Sequence, residues 1–321
     1  MQPVDILMLK AMHPDVISGV ERRFTLHRLD TAPDAEAFFR EVGPRIRGLA
    51  TGAQAPVDRT LIQRLPNLAV IASLGVGYDT IDTAAAAERG IIVTHTPDVL
   101  TDEVADLALG LLLATVRQIP QADRYLRGGH WPRQTYPLTP TLRGRTVGIL
   151  GLGRIGRAIA RRLEGFGVAI AYHGRRPQTD VPYAYHPTLL GLAEAADVLL
   201  VVAPGGPETT GLVDAAVLEA LGPEGIVVNV ARGSVIDEAA LIQALRSGAI
   251  LGAGLDVFAR EPHVPPELIA MDHVVLLPHV GSASVQTRAA MGQLVVDNLV
   301  AFFDGRGPLT PVPETPWTAG A

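Results

Sequence analysis

The sequence predicts an α/β protein with two doubly wound domains, each built on a parallel sheet. Short apolar runs alternate with helix-like stretches through almost the whole chain, which is typical of parallel sheets covered by helices on both faces. The chain has 321 residues, enough for two domains of ordinary size, and 48% of them are hydrophobic, enough for a large core.

Composition narrows the classes of function. The formal net charge is −6 and no basic stripe stands out, which argues against nucleic acid or an anionic membrane as a partner. The absence of cysteine excludes disulfides, thiolate catalysis and cysteine-ligated metals, and the histidines lack the spacing of a metal site. Neither a secretory signal nor a run of about 18 uncharged apolar residues is visible, so we expect a cytoplasmic protein.

The first part of the chain is predicted to form a sheet that does not hold a dinucleotide, because no glycine-rich turn follows its first strand. Its predicted strands are Asp5–Leu9, Thr25–Arg28, Ile46–Ala50, Ala69–Ser73 and Ile91–Thr94, with helices between them such as Asp58–Arg64 and Asp82–Arg89. A long helix is predicted near Thr101–Arg117. Its middle is apolar almost all round, so we expect it to pack on its own domain and on a second subunit in a homodimer; the alternative is a core helix of a monomer.

The remainder begins with a loop from Gly128 to Gly144, which is rich in glycine and proline and too long for a bare connector. The strands predicted after it are Thr146–Leu150, Val168–Tyr172, Asp197–Val202, Gly225–Val230, Gly252–Asp256 and Val274–Leu277. The tail from Gly307 to Ala321 is rich in proline and threonine, and we expect it to form a loose surface strap.

The most informative segment is the glycine-rich turn Gly151-Leu152-Gly153-Arg154-Ile155-Gly156, which follows a buried strand and opens a helix. In a dinucleotide site Gly151 allows the tight turn, Gly153 lets the backbone approach the pyrophosphate, and Gly156 lets the helix pack on the strand. The N–H groups and partial positive charge of the helix N-terminus suit phosphates. An ordinary strand–helix turn is the alternative interpretation.

The end of the second strand indicates which dinucleotide is bound. An NAD site usually has an acid about 20 residues after the motif, whereas His173-Gly174-Arg175-Arg176 contains no carboxylate. Guanidinium groups bind a phosphate bidentately, so Arg175 and Arg176 favour NADP(H), with NAD(H) as the alternative. A solvated arginine pair in a surface loop is the other interpretation.

Three side chains that could carry chemistry follow strand ends in the second domain: Arg232, Glu261 and His279. Since ligands in such sheets bind at the carboxyl ends of the strands, we expect these residues to converge. In the reduction of a 2-keto acid, Arg232 would hold the carboxylate and polarise the carbonyl, and His279 would protonate the developing alkoxide. Glu261 would favour the charged form of the imidazole. Taken singly, each also fits a structural or solvated residue.

The segment from Ser73 to Asp79 follows a strand end in the first domain. Two glycines there can expose backbone N–H groups as an anion nest, although a plain turn is the alternative. We expect this nest to bind the substrate carboxylate. The expected substrate-binding residues are Leu74, Gly75, Val76, Gly77, Arg232 and His279.

Together these segments resemble one family, the D-isomer-specific 2-hydroxyacid dehydrogenases, over nearly the whole chain. The segments that match are Gly75–Asp79, Ile81-Asp82, Glu103–Asp106, Gly148–Gly156, Asn229–Gly233, Gly254–Phe258, Glu261-Pro262 and Pro278–Ser282. His95 and Ser284 depart from the family pattern, standing where asparagine and threonine are common.

The resemblance implies a flavodoxin-like substrate domain, residues 1–96 with 286–321, into which a Rossmann dinucleotide-binding domain, residues 97–285, is inserted. It implies the roles given above for Arg232, Glu261 and His279, and it implies a dimer. The residues expected to bind the cofactor are Gly151, Leu152, Gly153, Arg154, Ile155, Gly156, Arg175, Arg176, Ala231 and Asp256. Among them, Asp256 is implied to contact the nicotinamide end.

The arginine pair makes the chain similar to NADPH-dependent reductases of that family. The expected function is therefore reduction of a small 2-keto acid, such as glyoxylate or hydroxypyruvate, to the D-2-hydroxy acid. A reductase of hydroxyphenylpyruvate is the alternative within the family. A different class, a cofactor-sensing scaffold similar to the corepressors that share this fold, stays open on fold analogy.

Overall fold

The computed structural model describes residues 3–52 and 55–318, and the chain divides into two compact units. The divisions fall between Leu100 and Thr101 and between Ala283 and Ser284. The first unit is therefore made of two separate stretches of chain, and the second unit is the continuous stretch between them.

Most elements form where the sequence places them. The strands are β1 Asp5–Met8, β2 Thr25–Arg28, β3 Ile46–Gly52, β4 Val70–Leu74, β5 Ile92–Thr94, β6 Thr146–Leu150, β7 Ala169–His173, β8 Ala184–Tyr185, β9 Val198–Val201, β10 Ile226–Asn229, β11 Gly252–Leu255 and β12 Val274–Leu276. The helices are α1 Pro14–Glu21, α2 Ala35–Glu41, α3 Arg59–Gln63, α4 Thr83–Glu88, α5 Thr101–Val116, α6 Ile119–Arg127, α7 Arg154–Leu163, α8 Leu189–Ala195, α9 Ala215–Leu221, α10 Glu238–Ser247, α11 Pro266–Ile269 and α12 Val285–Phe303.

Short polar side chains fix where many helices begin. Each accepts a hydrogen bond from a backbone N–H of the first turn, which would otherwise have no partner within the helix. The capping residues of this kind are Asp34, Asp58, Asp82, Thr188, Asp214, Asp237 and Ser284. No helix of the described residues is long and apolar enough to cross a membrane.

The first unit contains a five-stranded parallel sheet in the order β2-β1-β3-β4-β5. This is the flavodoxin-like order, and apolar clusters cover both faces of the sheet. Helix α12 brings the chain back to this unit and packs on α1 and β4. The predicted fold class is confirmed for this unit.

The C-terminal tail is the element for which the prediction is wrong. Its stretch from Thr310 to Thr315 is fastened along β5 and does not lie loosely on the surface. Pro311 forms an antiparallel bridge with Thr94, and the Val312 N–H donates to the Val93 carbonyl over 2.9 Å. Val312 is fully buried in the core of the unit. The edge of a sheet offers unpaired backbone groups, and composition alone gave no sign that the tail would pair with them.

The second unit contains a seven-stranded parallel sheet in the order β12-β11-β10-β9-β6-β7-β8. Numbered within the unit, this is the Rossmann order 3-2-1-4-5-6 with a seventh strand at the edge, so the fold class is confirmed here as well. The order reverses between β6 and β9, and the carboxyl end of β6 at this switch point carries the glycine-rich turn. The apolar helix α5 packs on β10 and β11, as its pattern indicates.

Candidate active site

The three side chains predicted to carry chemistry follow neighbouring strands of the second unit. β10 pairs with β11 and β11 pairs with β12, all in parallel, so their carboxyl ends share one edge of the sheet. Arg232 follows β10, Glu261 follows β11 and His279 follows β12. The topology thus brings the three to the edge where ligands bind in such sheets.

Glu261 and His279 form a hydrogen-bonded pair. The Nδ1 atom of His279 lies 2.6 Å from Oε2 of Glu261, and Oε1 accepts a hydrogen bond from the Phe258 N–H at 3.1 Å. Since an ionised carboxylate only accepts, Nδ1 carries the proton in this bond and Nε2 is the nitrogen left for other partners. The arrangement is that of a histidine oriented by an acid.

The same contacts keep Glu261 ionised. Burial of its carboxyl would raise the pKa, but the hydrogen bond and charge of His279 act against burial, together with the Phe258 N–H and the charge of Arg232. The net result is a pKa of Glu261 below its ordinary value. Hence the carboxylate is negative at neutral pH, where it stabilises a protonated imidazole beside it.

Asp256 holds the turn that carries His279. Its side chain is only 1% exposed, and its two oxygens accept the N–H groups of Val280 at 2.7 Å and Gly281 at 2.8 Å. The His279 N–H donates to the Asp256 carbonyl at 2.8 Å, and His279 itself has φ +54°, in the left-handed region. A non-glycine residue persists there only where its surroundings hold it. Desolvation raises the pKa of Asp256, although the two N–H groups oppose that shift. Sequence reasoning missed this supporting role.

A buried asparagine shapes the turn that carries Arg232. Asn229, 1% exposed, accepts from the Ala231 N–H at 3.0 Å and donates to the Arg232 carbonyl at 2.9 Å. A Cβ on Gly233 would collide with the backbone of Phe258 and Ala259. The Arg232 turn and the segment leading to Glu261 therefore pack backbone to backbone, and glycine is needed at residue 233.

Another residue that the sequence prediction missed is Glu238. It is the first residue of α10, and its Oε1 accepts from the Ala259 N–H at 3.0 Å. The segment that carries Glu261 is thus held by a second carboxylate as well. Nothing in the spacing of the sequence distinguishes Glu238 from an acid in the first turn of an ordinary helix.

The glycine-rich turn has the geometry that the motif requires. Gly151 has φ +99°, and a Cβ on Gly156 would collide with the Gly151 carbonyl oxygen. By contrast, a Cβ on Gly153 would meet nothing within 4 Å. Gly153 is the residue directly before the first turn of α7, so this open space lies at the N-terminus of the helix. The turn is packed on the protein side and open on the other, which fits a bound pyrophosphate. The Leu152 side chain is buried in the core of the unit, and the Ile155 side chain packs against the same core, so both side chains lie on the packed side of the turn.

The two predicted arginines lie on an anchored loop after β7. Arg175 and Arg176 are exposed, and no ion pair is found for either among the residues that the structure describes. Further along, the Gln178 side chain donates to the Leu152 carbonyl at 2.8 Å, and Arg157 of α7 holds Asp180 at 2.6 Å. These contacts connect the loop to the glycine-rich turn, and two exposed guanidinium groups on it fit a phosphate group.

The predicted anion nest lies in the first unit, directly after β4. Gly75 has φ +138°, which glycine adopts readily, and its N–H donates to Thr96 Oγ1 at 2.9 Å. Within the described residues, no hydrogen bond is found from the N–H of Val76 or Gly77. The donors that the nest can offer to an anion are therefore those of Val76 and Gly77, while the Gly75 N–H is engaged.

Comparison with known proteins agrees with this geometry. Residues 109–281 match the family model of the D-isomer specific 2-hydroxyacid dehydrogenase NAD binding domain. Glyoxylate/hydroxypyruvate reductase A of Arabidopsis thaliana is 46% identical, with 97% of this chain and 100% of the relative covered. Hydroxyphenylpyruvate reductase of Plectranthus scutellarioides is 44% identical over the same shares of both chains. A crystal structure of an NADPH-dependent glyoxylate/hydroxypyruvate reductase from Sinorhizobium meliloti, in complex with NADP and malonate, superposes with a TM-score of 0.93 at 51% identity and full coverage of both chains.

The chain belongs to the D-isomer specific 2-hydroxyacid dehydrogenases. It is thus an oxidoreductase that uses a nicotinamide dinucleotide, and the family and enzyme class predicted from the sequence are confirmed.

Proposed function

We propose that the protein is an NADPH-preferring reductase that converts a small 2-keto acid, glyoxylate or hydroxypyruvate, into the D-2-hydroxy acid. The observation that carries the proposal is the His279–Glu261 pair at 2.6 Å. Glu261 follows β11, which pairs with the β10 strand that precedes Arg232 and with the β12 strand that precedes His279. Two relatives named for these activities are 46% and 51% identical to this chain, over 97% and 100% of its length.

In this proposal the residues after the strands divide the work. A bound nicotinamide would supply the hydride. Arg232 binds the substrate carboxylate and polarises the neighbouring carbonyl. In the first unit, the N–H groups of Val76 and Gly77 are proposed as donors to a carboxylate. His279 donates the proton from Nε2 to the carbonyl oxygen, because Glu261 occupies the Nδ1 side and favours the protonated ring.

The preference for NADPH is assigned to Arg175 and Arg176. The backbone from Gly151 to Gly156 would hold the pyrophosphate, and the two guanidinium groups would bind the 2′-phosphate bidentately. The absence of an acid at the end of β7 removes the partner that a ribose 2′-hydroxyl needs, and with it the repulsion of a phosphate.

A rate panel of 2-keto acids, each with NADPH and NADH, tests the proposal. We expect fast oxidation of NADPH with glyoxylate or hydroxypyruvate. Faster turnover of hydroxyphenylpyruvate would keep the chemistry and change the substrate. Cofactor binding without turnover of any keto acid would refute the proposal and favour the cofactor-sensing scaffold.

His279→Ala is expected to lower kcat by about 100-fold or more with NADPH binding retained, which is the range of a general acid.

The arginine assignment has its own test. The double variant Arg175→Ala/Arg176→Ala should raise KM for NADPH about 100-fold, since each charge-assisted contact contributes about 1.5 kcal/mol. KM for NADH should stay the same in this double variant. Arg161→Ala, which removes an exposed arginine of α7, is the control, and its KM values for NADPH and for NADH should both equal those of wild type. An equal loss for the two cofactors would contradict the role of the pair.

We also propose a homodimer. α6 and the loop after it expose large apolar side chains: Ile119 at 53%, Leu126 at 55%, Trp131 at 64% and Leu138 at 101%. Large apolar side chains exposed on the surface of a folded domain indicate a protein–protein interface. Light scattering should give a mass twice that of the chain, 33.9 kDa. The double variant Ile119→Asp/Leu126→Asp should lower the measured mass to that of one chain. A monomeric wild type would overturn this assignment.

A further inference from the structure

The anion nest after β4 is held from behind through its carbonyl oxygens. The Gly75 carbonyl accepts from the Thr96 N–H at 2.8 Å. The Val76 carbonyl accepts from Nδ1 of His95 at 2.9 Å. A carbonyl cannot donate, so His95 carries its proton on Nδ1 in this contact.

These two contacts determine where the free N–H groups point. In a planar trans peptide the C=O and the N–H point in opposite directions. The Gly75 carbonyl shares its peptide plane with the Val76 N–H, and the Val76 carbonyl shares its plane with the Gly77 N–H. Holding both carbonyls toward Thr96 and His95 turns both N–H groups to the opposite side, where an anion can meet them.

His95 is itself fixed by the C-terminal tail and by an aromatic neighbour. Its N–H donates to the Thr310 carbonyl at 3.2 Å, and Thr310 Oγ1 donates to the His95 carbonyl at 2.6 Å. The Tyr78 ring stands edge-on to the imidazole, with centroids 5.3 Å apart, and its hydroxyl donates to Glu314 at 3.1 Å. Burial, with Glu314 beside it, raises the pKa of Tyr78, so the hydroxyl stays a donor.

We propose that His95 is a positioning residue for substrate binding: its Nδ1–H fixes the Val76–Gly77 peptide and thereby aims the Gly77 N–H at the substrate carboxylate. The inference rests on the proposed function and deepens it. The Thr96 N–H fixes the Gly75–Val76 peptide, and with it the Val76 N–H, in the same way. A substitution at residue 95 is therefore expected to loosen only one of the two donors.

Two substitutions separate the hydrogen bond from the ring. His95→Phe keeps an aromatic ring against Tyr78 but has no donor. His95→Asn loses the ring but keeps a donor, because Nδ2 of asparagine is two bonds from Cβ, as Nδ1 of histidine is. A role in positioning predicts that asparagine rescues what phenylalanine loses, whereas a role in packing predicts the reverse.

The readouts are KM and kcat for glyoxylate or hydroxypyruvate, the inhibition constant of oxamate, and KM for NADPH. For His95→Phe we expect KM for the keto acid and the oxamate constant to rise about tenfold, with kcat and KM for NADPH within about twofold of wild type. His95→Asn should keep all four near wild type. Glu314→Ala, which removes the acceptor of the Tyr78 hydroxyl and leaves both rings, is the control for general loosening of the tail and should change none of them.

The outcomes distinguish this inference from the proposed function. A wild type that reduces no 2-keto acid overturns both. A wild type that does so, with unchanged constants in His95→Phe, overturns only the role of His95, as would a rise in KM that asparagine fails to rescue. If His95→Phe does not fold by thermal melting, His95→Leu, which also lacks the donor, is assayed against His95→Asn in the same way.

Discussion

Replacing Glu261 by glutamine is the sharpest test of the site, because the change is nearly isosteric but reverses the hydrogen bonding. The two carboxylate oxygens accept from His279 Nδ1 at 2.6 Å and from the Phe258 N–H at 3.1 Å. A glutamine amide has one acceptor oxygen and one donor nitrogen. Either the Phe258 N–H or His279 Nδ1 then faces the amide nitrogen. Nδ1 can meet that nitrogen only as an acceptor, with the ring proton on Nε2 and the ring uncharged.

The size of the effect follows from what is lost. A hydrogen bond to a charged group contributes about 1.5–3 kcal/mol, and the lost charge also stabilises the protonated imidazole. Since about 1.4 kcal/mol is a factor of ten, Glu261→Gln should lower kcat/KM for the keto acid about 10- to 100-fold at neutral pH. The difference from wild type should narrow as pH falls through the lowered pKa of Glu261, because the wild-type carboxylate then loses its charge as well.

The assay is the pH dependence of kcat/KM with saturating NADPH. Glu238→Gln is a matched control. Within residues 3–52 and 55–318, the hydrogen bond found for the Glu238 carboxylate is the one from the Ala259 N–H, and a glutamine oxygen can accept it equally well. We expect the control to follow the wild-type profile. A Glu261→Gln enzyme with wild-type kcat/KM and an unshifted profile would refute the proposed pairing of acid and imidazole.

Three further predictions concern stability and cofactor binding. Because the pKa of Glu261 is lowered in the folded protein, the contribution of this carboxylate to stability is present above the ordinary value of 4.5. It is lost as pH falls through the pKa of the folded state. Glu261→Gln should therefore have a lower urea midpoint than wild type at neutral pH, and the difference between the two midpoints should narrow in acid. Gly233→Ala places a Cβ against the Phe258 backbone and should destabilise the protein by about 1–3 kcal/mol, seen as a lower Tm. Gly153→Ala meets no protein atom, so its Tm should be unchanged while KM for NADPH rises; a loss of stability instead would mean that the open side of the turn is not reserved for the cofactor.

The periodicity of the sequence was enough to predict the two sheets. Buried parallel strands read as continuous apolar runs, and the prediction of β6 at Thr146–Leu150 matches the structure residue for residue. The tail could not be predicted in this way, since its place depends on one bridge between Pro311 and Thr94, far apart in sequence. Local pattern carries no information about which distant edge a segment will cover.

For the site, the sequence indicated the residues to which we assign the chemistry and missed those that hold them. Arg232, Glu261 and His279 stand out because their types and their place after strands match a reaction. Asp256 and Glu238 hold backbone N–H groups, and any acid in a turn or first helical turn would look the same in the sequence. Their roles depend on contacts with residues 21 to 25 positions away, which only the folded chain reveals.

The two loops that we assign to the substrate are supported through the backbone, by groups behind them. Asp256 takes the N–H groups after His279, and Thr96 and His95 hold the carbonyls of the nest. Groups fixed in this way need no reorganisation when charge arrives, which is the condition for strong electrostatic binding. A support of this kind requires only a donor or acceptor at the right number of bonds from Cβ. The role proposed for His95 accounts in this way for a histidine where asparagine is common in the family. Both side chains carry a donor nitrogen two bonds from Cβ, and His95 places its own 2.9 Å from the Val76 carbonyl oxygen.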